Sequence, residues 1–371
     1  MPPPLAGGVY VHFPYCRHHC FYCDFNVAVV RRIPQRAYTD AILQELSHRA
    51  SRLSRPARSL YFGGGTPSLW EPTHLAEVIA AVRRAPGLMD EAEITLEANP
   101  DEVTPEHLSQ WRDAGVNRVS VGVQALRDGL LAGIDRQHQA EDVFRAVDAL
   151  RAGGFARYTI DLMFGLPGQA ESDWEVDLSQ LIRLDVPHLS LYGLTVEPKT
   201  GLAAKVARGA VALPDDATQG RMLFAARDAL QAAGYVHYEV SSYCRPGHQA
   251  VHNSGYWELR PYLGLGAGAH GFIASERYAN IRSSKRYMEA AGVDPTADLE
   301  SLSPETLAFE RLMVGLRRLD VGVDLGDDFG RFEAEIGRQV ARGWLQADGT
   351  RIKVTDEGLR WMNALLVAFV P

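Results

Sequence analysis

Cysteine is scarce, with four residues in a chain of 371. A secreted domain that relies on disulfides would carry more and spread them out. Here three of the four, Cys16, Cys20 and Cys23, fall within eight positions, which points to a reducing compartment and a metal site. Long apolar runs are also missing. No stretch of 18 or more apolar residues occurs, so no membrane span is expected. The Pro/Gly-rich start, Met1 to Gly8, lacks a basic region before an apolar core, so no secretory leader is read there and the cytoplasm is the expected location. An excess of positive charge is absent as well. The formal net charge is −8, which argues against a protein that coats nucleic acid. With 46% hydrophobic and 23% charged residues, the chain has the composition of an ordinary globular protein.

What is present is an alternation of strand and helix patterns. Short apolar, β-branched or aromatic runs at Gly8–Pro14, Ser59–Gly64, Glu93–Asn99, Arg118–Gln124, Tyr158–Gly165 and His188–Leu194 read as strands buried on both faces. Helical periodicity covers Gln35–Leu53, Pro72–Ala85, Pro105–Ala114, Ala140–Ala152 and Ser172–Leu184. Thr104-Pro105 and Ser303-Pro304 each place a capping hydroxyl before a proline at the first helical position. Six β-α units imply parallel strands and right-handed crossovers. That is too few for a closed eight-stranded barrel, so the expected α/β fold is a partial (β/α)6 barrel open on one side, or else an open doubly wound sheet. Either places ligands at the carboxyl ends of the strands. Three units are expected. These are a core barrel over 1–225, a Gly- and aromatic-rich connecting segment over 226–300, and a small helical, winged-helix-like module over 301–371. The last would hold helices near 304–318 and 328–342, then a hairpin turning at Asp348-Gly349.

The sharpest motif is Cys16-Arg17-His18-His19-Cys20-Phe21-Tyr22-Cys23, directly after the first strand. Three thiolates in one loop can hold three corners of an iron–sulfur cluster and leave one iron open. Structural zinc is the plainer alternative, but it needs a fourth ligand from His18, His19 or the distant Cys244. The segment from Tyr10-Val11-His12-Phe13-Pro14-Tyr15-Cys16 through Cys23-Asp24-Phe25 resembles the radical S-adenosylmethionine (SAM) superfamily. Within it, the chain is similar over nearly its whole length to the branch holding oxygen-independent coproporphyrinogen III oxidase and the HemW-type heme chaperones. The resemblance implies a [4Fe–4S] cluster on Cys16, Cys20 and Cys23, with the methionine end of SAM on the open iron. It also implies SAM contacts from Tyr10, from Gly64, Gly65 and Thr66 in Gly63-Gly64-Gly65-Thr66-Pro67, and from Glu97, Gln124, Arg136 and Asp161. The residues agree with this, because a charge or an amide that interrupts a buried strand needs a partner. A carboxylate suits ribose hydroxyls, and a guanidinium suits a carboxylate. The competing reading is that Glu97 and Arg136 simply pair with each other.

Two departures separate the two members of that branch. The oxidase motif runs one cysteine further, where this chain has Phe25, and the oxidase carries a longer segment before the cluster. Both favour a heme chaperone that binds heme and passes it to apo-hemoproteins such as respiratory enzymes, some of them membrane proteins met transiently. The alternative is a radical SAM enzyme that oxidatively decarboxylates a porphyrinogen. His252-Asn253-Ser254-Gly255-Tyr256-Trp257 matches the HNxxYW pattern that the resemblance associates with heme, so His252, Asn253, Tyr256 and Trp257 are expected at a heme. A histidine can ligate its iron and the aromatic faces can stack on the porphyrin. A lone histidine among aromatics is also what a satisfied core histidine looks like. Cys244 reads as a spare buried thiol, and His270 follows a Gly-rich run that can approach a cofactor. Residues 301–371 hold 9 Lys and Arg against 11 Asp and Glu, which argues against nucleic acid as a partner.

Overall fold

A computed structural model describes residues 6–370. Most of the Pro/Gly-rich start lies outside the described residues. The backbone is dominated by one twelve-stranded sheet. Its strands in chain order are β1 (Gly8–Phe13), β2 (Ala57–Gly64), β3 (Leu88–Ala98), β4 (Arg118–Gln124), β5 (Tyr158–Phe164), β6 (His188–Gly193), β7 (Val236–Glu239), β8 (Ser242–Cys244), β9 (Tyr262–Leu265), β10 (His270–Ile273), β11 (Glu276–Asn280) and β12 (Thr296–Ser301). Across the sheet the order is β12-β11-β10-β9-β1-β2-β3-β4-β5-β6-β8-β7. The run β9-β1-β2-β3-β4-β5-β6 is parallel, and antiparallel strands extend it at both ends. The sheet does not close on itself, as expected of a partial barrel. Residues 226–300, expected as a connecting segment, instead contribute six strands to this same sheet. Their Gly and aromatic content hid short strands whose pairing partners are distant in sequence.

The strands are buried on both faces, but the two faces differ in chemistry. Outward positions are apolar: Val9, Val11 and Phe13 on β1, Leu60 and Phe62 on β2, Ile94 and Leu96 on β3, Val119, Val121 and Val123 on β4. They pack under α1 (Gln35–Arg49), α2 (Pro72–Arg84), α3 (Pro105–Ala114) and their successors in one core cluster. Each such side chain contributes about 1.5–3 kcal/mol by leaving water. The intervening residues point inward and are mostly polar: Tyr10, Ser59, Tyr61, Glu93, Thr95, Glu97, Arg118, Ser120, Thr159, Asp161, His188 and Ser190. Alternation at period two lets one strand serve a dry outer core and a wet interior.

The helix starts follow the local chemistry. The Thr104 hydroxyl accepts the His107 N–H at 3.2 Å, and α3 ends at Gly115 with φ 110°. Ser303 accepts the Thr306 N–H at 3.1 Å. Beyond it, helices Pro304–Gly315 and Phe329–Ala341 and the hairpin Leu345–Asp348/Arg351–Val354 enclose a separate small core around Leu312, Leu316, Ile336 and Ile352.

Candidate functional site

The inward residues of β2 to β6 converge on one cavity of about 480 Å³, with the cysteine loop at its mouth. Cys16, Cys20 and Cys23 are free thiols, half-buried, and all three line it. The loop is held where it leaves β1. Tyr15–Cys16 pairs with Ala28–Val29 in a two-residue parallel bridge, and the Thr66 hydroxyl donates to Cys16 Sγ at 3.3 Å. Burial pushes all three thiols upward, Cys23 to about 11. They therefore resist ionising without a cation to share. Iron supplies that positive charge, so the donor set fits a cluster. Among the described residues, no three His, Cys, Asp or Glu side chains converge closely enough for a single metal ion. A cubane tolerates this, because each thiolate binds a different iron. His18 Nε2 donates to the Asp135 carboxylate (2.8 Å) and His19 Nε2 to the Cys23 carbonyl (3.0 Å), so both act as loop hydrogen bonds.

Gly64 and Gly65 are required by close approach. Gly64 has φ 119°, and a Cβ there would lie 2.6 Å from the His12 ring. At Gly65 a Cβ would lie 2.7 Å from the Tyr15 carbonyl oxygen and 3.0 Å from Cys16 Sγ. The glycine loop thus presses directly on the cysteine loop.

Glu97 and Arg136 do not pair. Glu97 accepts the Tyr61 hydroxyl at 2.7 Å and the Gly64 N–H at 3.0 Å. Arg136 donates to Asn99 Oδ1 at 2.8 Å and to the Gly122 carbonyl at 2.6 Å, while its buried Nε has no partner. Burial raises the Glu97 carboxyl to about 7 and the Asp161 carboxyl to about 6, the latter although Ser120 donates to it at 2.9 Å. Gln124 adopts φ 70° where the β4–β5 register slips, a conformation uncommon outside glycine. It turns out of β4 at the cavity wall. Tyr10 stands on the inner face of β1, stacked on Tyr61 at 6.1 Å and hydrogen-bonded to His12 at 3.0 Å.

His252 is placed differently from expectation. It lies in the first turn of α4 (Val251–Trp257), under the amino ends of the strands, and is 4% exposed. One ring nitrogen meets the Ser59 hydroxyl at 2.8 Å and the other meets Tyr256 Oη at 2.8 Å. The ring stacks on Tyr61 at 4.9 Å. Its backbone N–H and that of Val251 donate to Glu93, which also faces Arg118 at 3.4 Å. Both ring nitrogens are thus engaged, one as donor and one as acceptor, and iron ligation from here would require breaking one of these bonds. Asn253 lines the cavity, and Trp257 lies under the Arg317 guanidinium at 5.6 Å from its ring centre. Cys244 is fully buried.

Sequence reasoning missed Tyr61, Asn99, the Glu93–Arg118 pair and Tyr192, all of which line the cavity. The signal was available in the period-two placement of polar residues within runs otherwise taken as uniformly apolar.

Residues 10–181 match the family described as the Radical SAM superfamily. The heme chaperone HemW of Lactococcus lactis is 34% identical over 98% of this chain and 97% of its own length. That of Escherichia coli is 32% identical over 99% and 98%. The mouse radical S-adenosyl methionine domain-containing protein 1, mitochondrial, is 35% identical over 98% of this chain and 87% of its own. The solved structure of coproporphyrinogen III oxidase (HemN) from Escherichia coli aligns with a TM-score of 0.83 over 99% of this chain and 90% of its own, at 23% identity, and so bears on the fold. Among the described residues no helix is long and apolar enough to cross a membrane.

Proposed function

The chain belongs to the radical SAM superfamily and, within it, to the family of HemW heme chaperones, and from that premise we propose that it binds heme, a [4Fe–4S] cluster and SAM and hands the heme to apo-hemoproteins. The observation that supports this most is the meeting of three free thiols with Gly64, Gly65, Thr66, Glu97, Gln124, Arg136 and Asp161 around one cavity. Residues spread over more than a hundred positions have no packing reason to converge there.

Cys16, Cys20 and Cys23 would hold the cluster, which supplies an electron and one iron without a protein ligand. The chain supplies the rest of the pocket. Arg136 offers its unpartnered Nε–H to a carboxylate near the cysteine loop. Gly64 and Gly65 let backbone groups reach the methionine end. Glu97, oriented by Tyr61 and Gly64, would accept hydrogen bonds from ribose hydroxyls. Asp161 and Gln124 close the same wall, and Tyr10 supports it through Tyr61. Acceptors would be apo-hemoproteins such as respiratory enzymes, met transiently where they sit in a membrane.

Anaerobic reconstitution tests this reading. About four irons and four sulfides per chain, SAM-dependent change at the cluster, saturable heme binding and delivery of heme to an apo-hemoprotein are expected. Incubation with SAM, a reductant and coproporphyrinogen III should leave the substrate intact. Formation of a vinyl product would replace the chaperone with the oxidase.

A further inference from the structure

We infer that heme docks outside the barrel, on an apolar and basic rim beside the cysteine loop, with His270 as its axial ligand. The inference rests on the chaperone reading and names the site that reading lacks.

The cavity cannot serve. At about 480 Å³ it lies toward the small end of pockets for drug-sized ligands, and a cluster with SAM would take that space. Most histidines are less open to an entering ligand. The chain has twelve. Nine have a ring nitrogen in a hydrogen bond: His12, His18, His19, His48, His107, His138, His188, His237 and His252. His74 sits between Glu71 and Glu77. His248 keeps a buried Nδ1. His270 differs from these: it is exposed and makes no side-chain hydrogen bond among the described residues. An entering iron needs one accessible ring nitrogen, and His270 offers either.

Its surroundings suit a porphyrin. The turn just before His270 lies against Asn26, whose Nδ2 stands 2.5 Å from where a Cβ on Gly268 would be, and His12 Nε2 donates to the Asn26 carbonyl at 2.9 Å. Asn26 in turn donates to the carbonyls of Ala267 and Arg282, each at 2.9 Å. Next to it Phe25 is 62% exposed, followed by Val29 at 54% and Val30 at 39%. Three apolar side chains within six positions are thus left in water, which a flat macrocycle can cover. The charge fits too. Arg31 and Arg32 follow this loop, Asn26 bonds the Arg282 carbonyl, and Lys285 and Arg286 stand three and four residues beyond Arg282; none of the five forms an ion pair among the described residues. In a chain of net charge −8, such a group of free cations complements the two carboxylates of heme. Six residues of extended chain from Phe25 to Arg31 span at most about 20 Å, within reach of one heme and its propionates.

The test is titration of heme into the anaerobically reconstituted full chain, read by absorbance and by the spin state of the bound iron. His270→Ala should weaken binding at least tenfold and change the heme spectrum, while iron and sulfide content and circular dichroism stay as in the parent. Arg31→Glu with Arg282→Glu should weaken binding without changing the spectrum of what binds. His48→Ala, an exposed histidine on α1, should do neither. Unchanged affinity and spectrum in His270→Ala overturns the inference, as does loss of the heme signal in a folded His252→Asn variant that retains His270. If the parent chain itself binds no heme, the chaperone reading fails instead.

Discussion

Replacing Glu97 with glutamine should stabilise the cluster-free, SAM-free protein at alkaline pH and give little of that gain in acid. Burial places the folded-state carboxyl near 7, against an ordinary 4.5. The folded state therefore holds this proton more tightly than the unfolded chain. The stability linked to the group is present in full below pH 4.5 and is lost as pH rises through 7. The gap between 4.5 and 7 corresponds to about 3 kcal/mol of destabilisation above neutrality, since each pH unit is worth about 1.4 kcal/mol. The amide does not titrate, so that cost disappears. Any hydrogen bond to Tyr61 or Gly64 that the amide makes less well shifts both ends of the pH range equally. The difference between pH 5 and pH 8.5 is therefore the quantity to measure. For a chain of this length it corresponds to roughly 3–6 °C in melting temperature, extrapolating from smaller domains. Thermal unfolding under reducing, anaerobic conditions reads it directly. A melting difference between variant and parent that is the same at both pH values would refute the burial argument. The same variant should bind SAM more weakly in reconstituted protein, which separates the cost of the carboxylate from its use.

Other expectations follow from the same geometry. Gly65→Ala should leave the chain folded but lower its iron content after reconstitution by half or more, because the added Cβ meets the Tyr15 carbonyl and Cys16 Sγ; iron assay decides, and full loading would show that the two loops can part. Thr66→Val removes the hydroxyl that donates to Cys16 Sγ and should make the cluster harder to reduce, seen as a more negative midpoint in a redox titration followed by electron paramagnetic resonance. An unchanged midpoint would mean the bond is not retained in the loaded protein. Arg118→Met removes the cationic partner of buried Glu93 at the barrel floor, leaving it only the Val251 and His252 N–H groups, and should cost about 3–5 kcal/mol, with part of that recovered when Glu93→Gln is added. Additive losses in the double variant would argue that the pair is not coupled.

The parallel order of β1 to β6, the caps at Thr104 and Ser303 and the hairpin at Asp348-Gly349 were legible because each depends on residues a few positions apart. Helix α3 and strand β4 fall on the expected bounds for that reason. The cysteine spacing was equally local, and so was the glycine loop after β2. The short strands β7 to β12 were not legible. Their partners are far along the chain, and their glycines and aromatics resemble loop composition.

The chain's own order of residues determined where thiols, carboxylates and glycines stand along it, and hence what chemistry it carries. Only the tertiary structure decided which of them are free to use it. Glu97 and Arg136 had opposite charges and fitted a mutual pair, yet each is held by other neighbours, which leaves Arg136 Nε open to the cavity. His252 and His270 look alike in sequence, each among aromatics or glycines. Folding commits both nitrogens of the first to Ser59 and Tyr256 and leaves the second exposed. A side chain's partners come from strands brought together by long-range pairing, and that pairing is a property of the packed sheet rather than of any local run of residues.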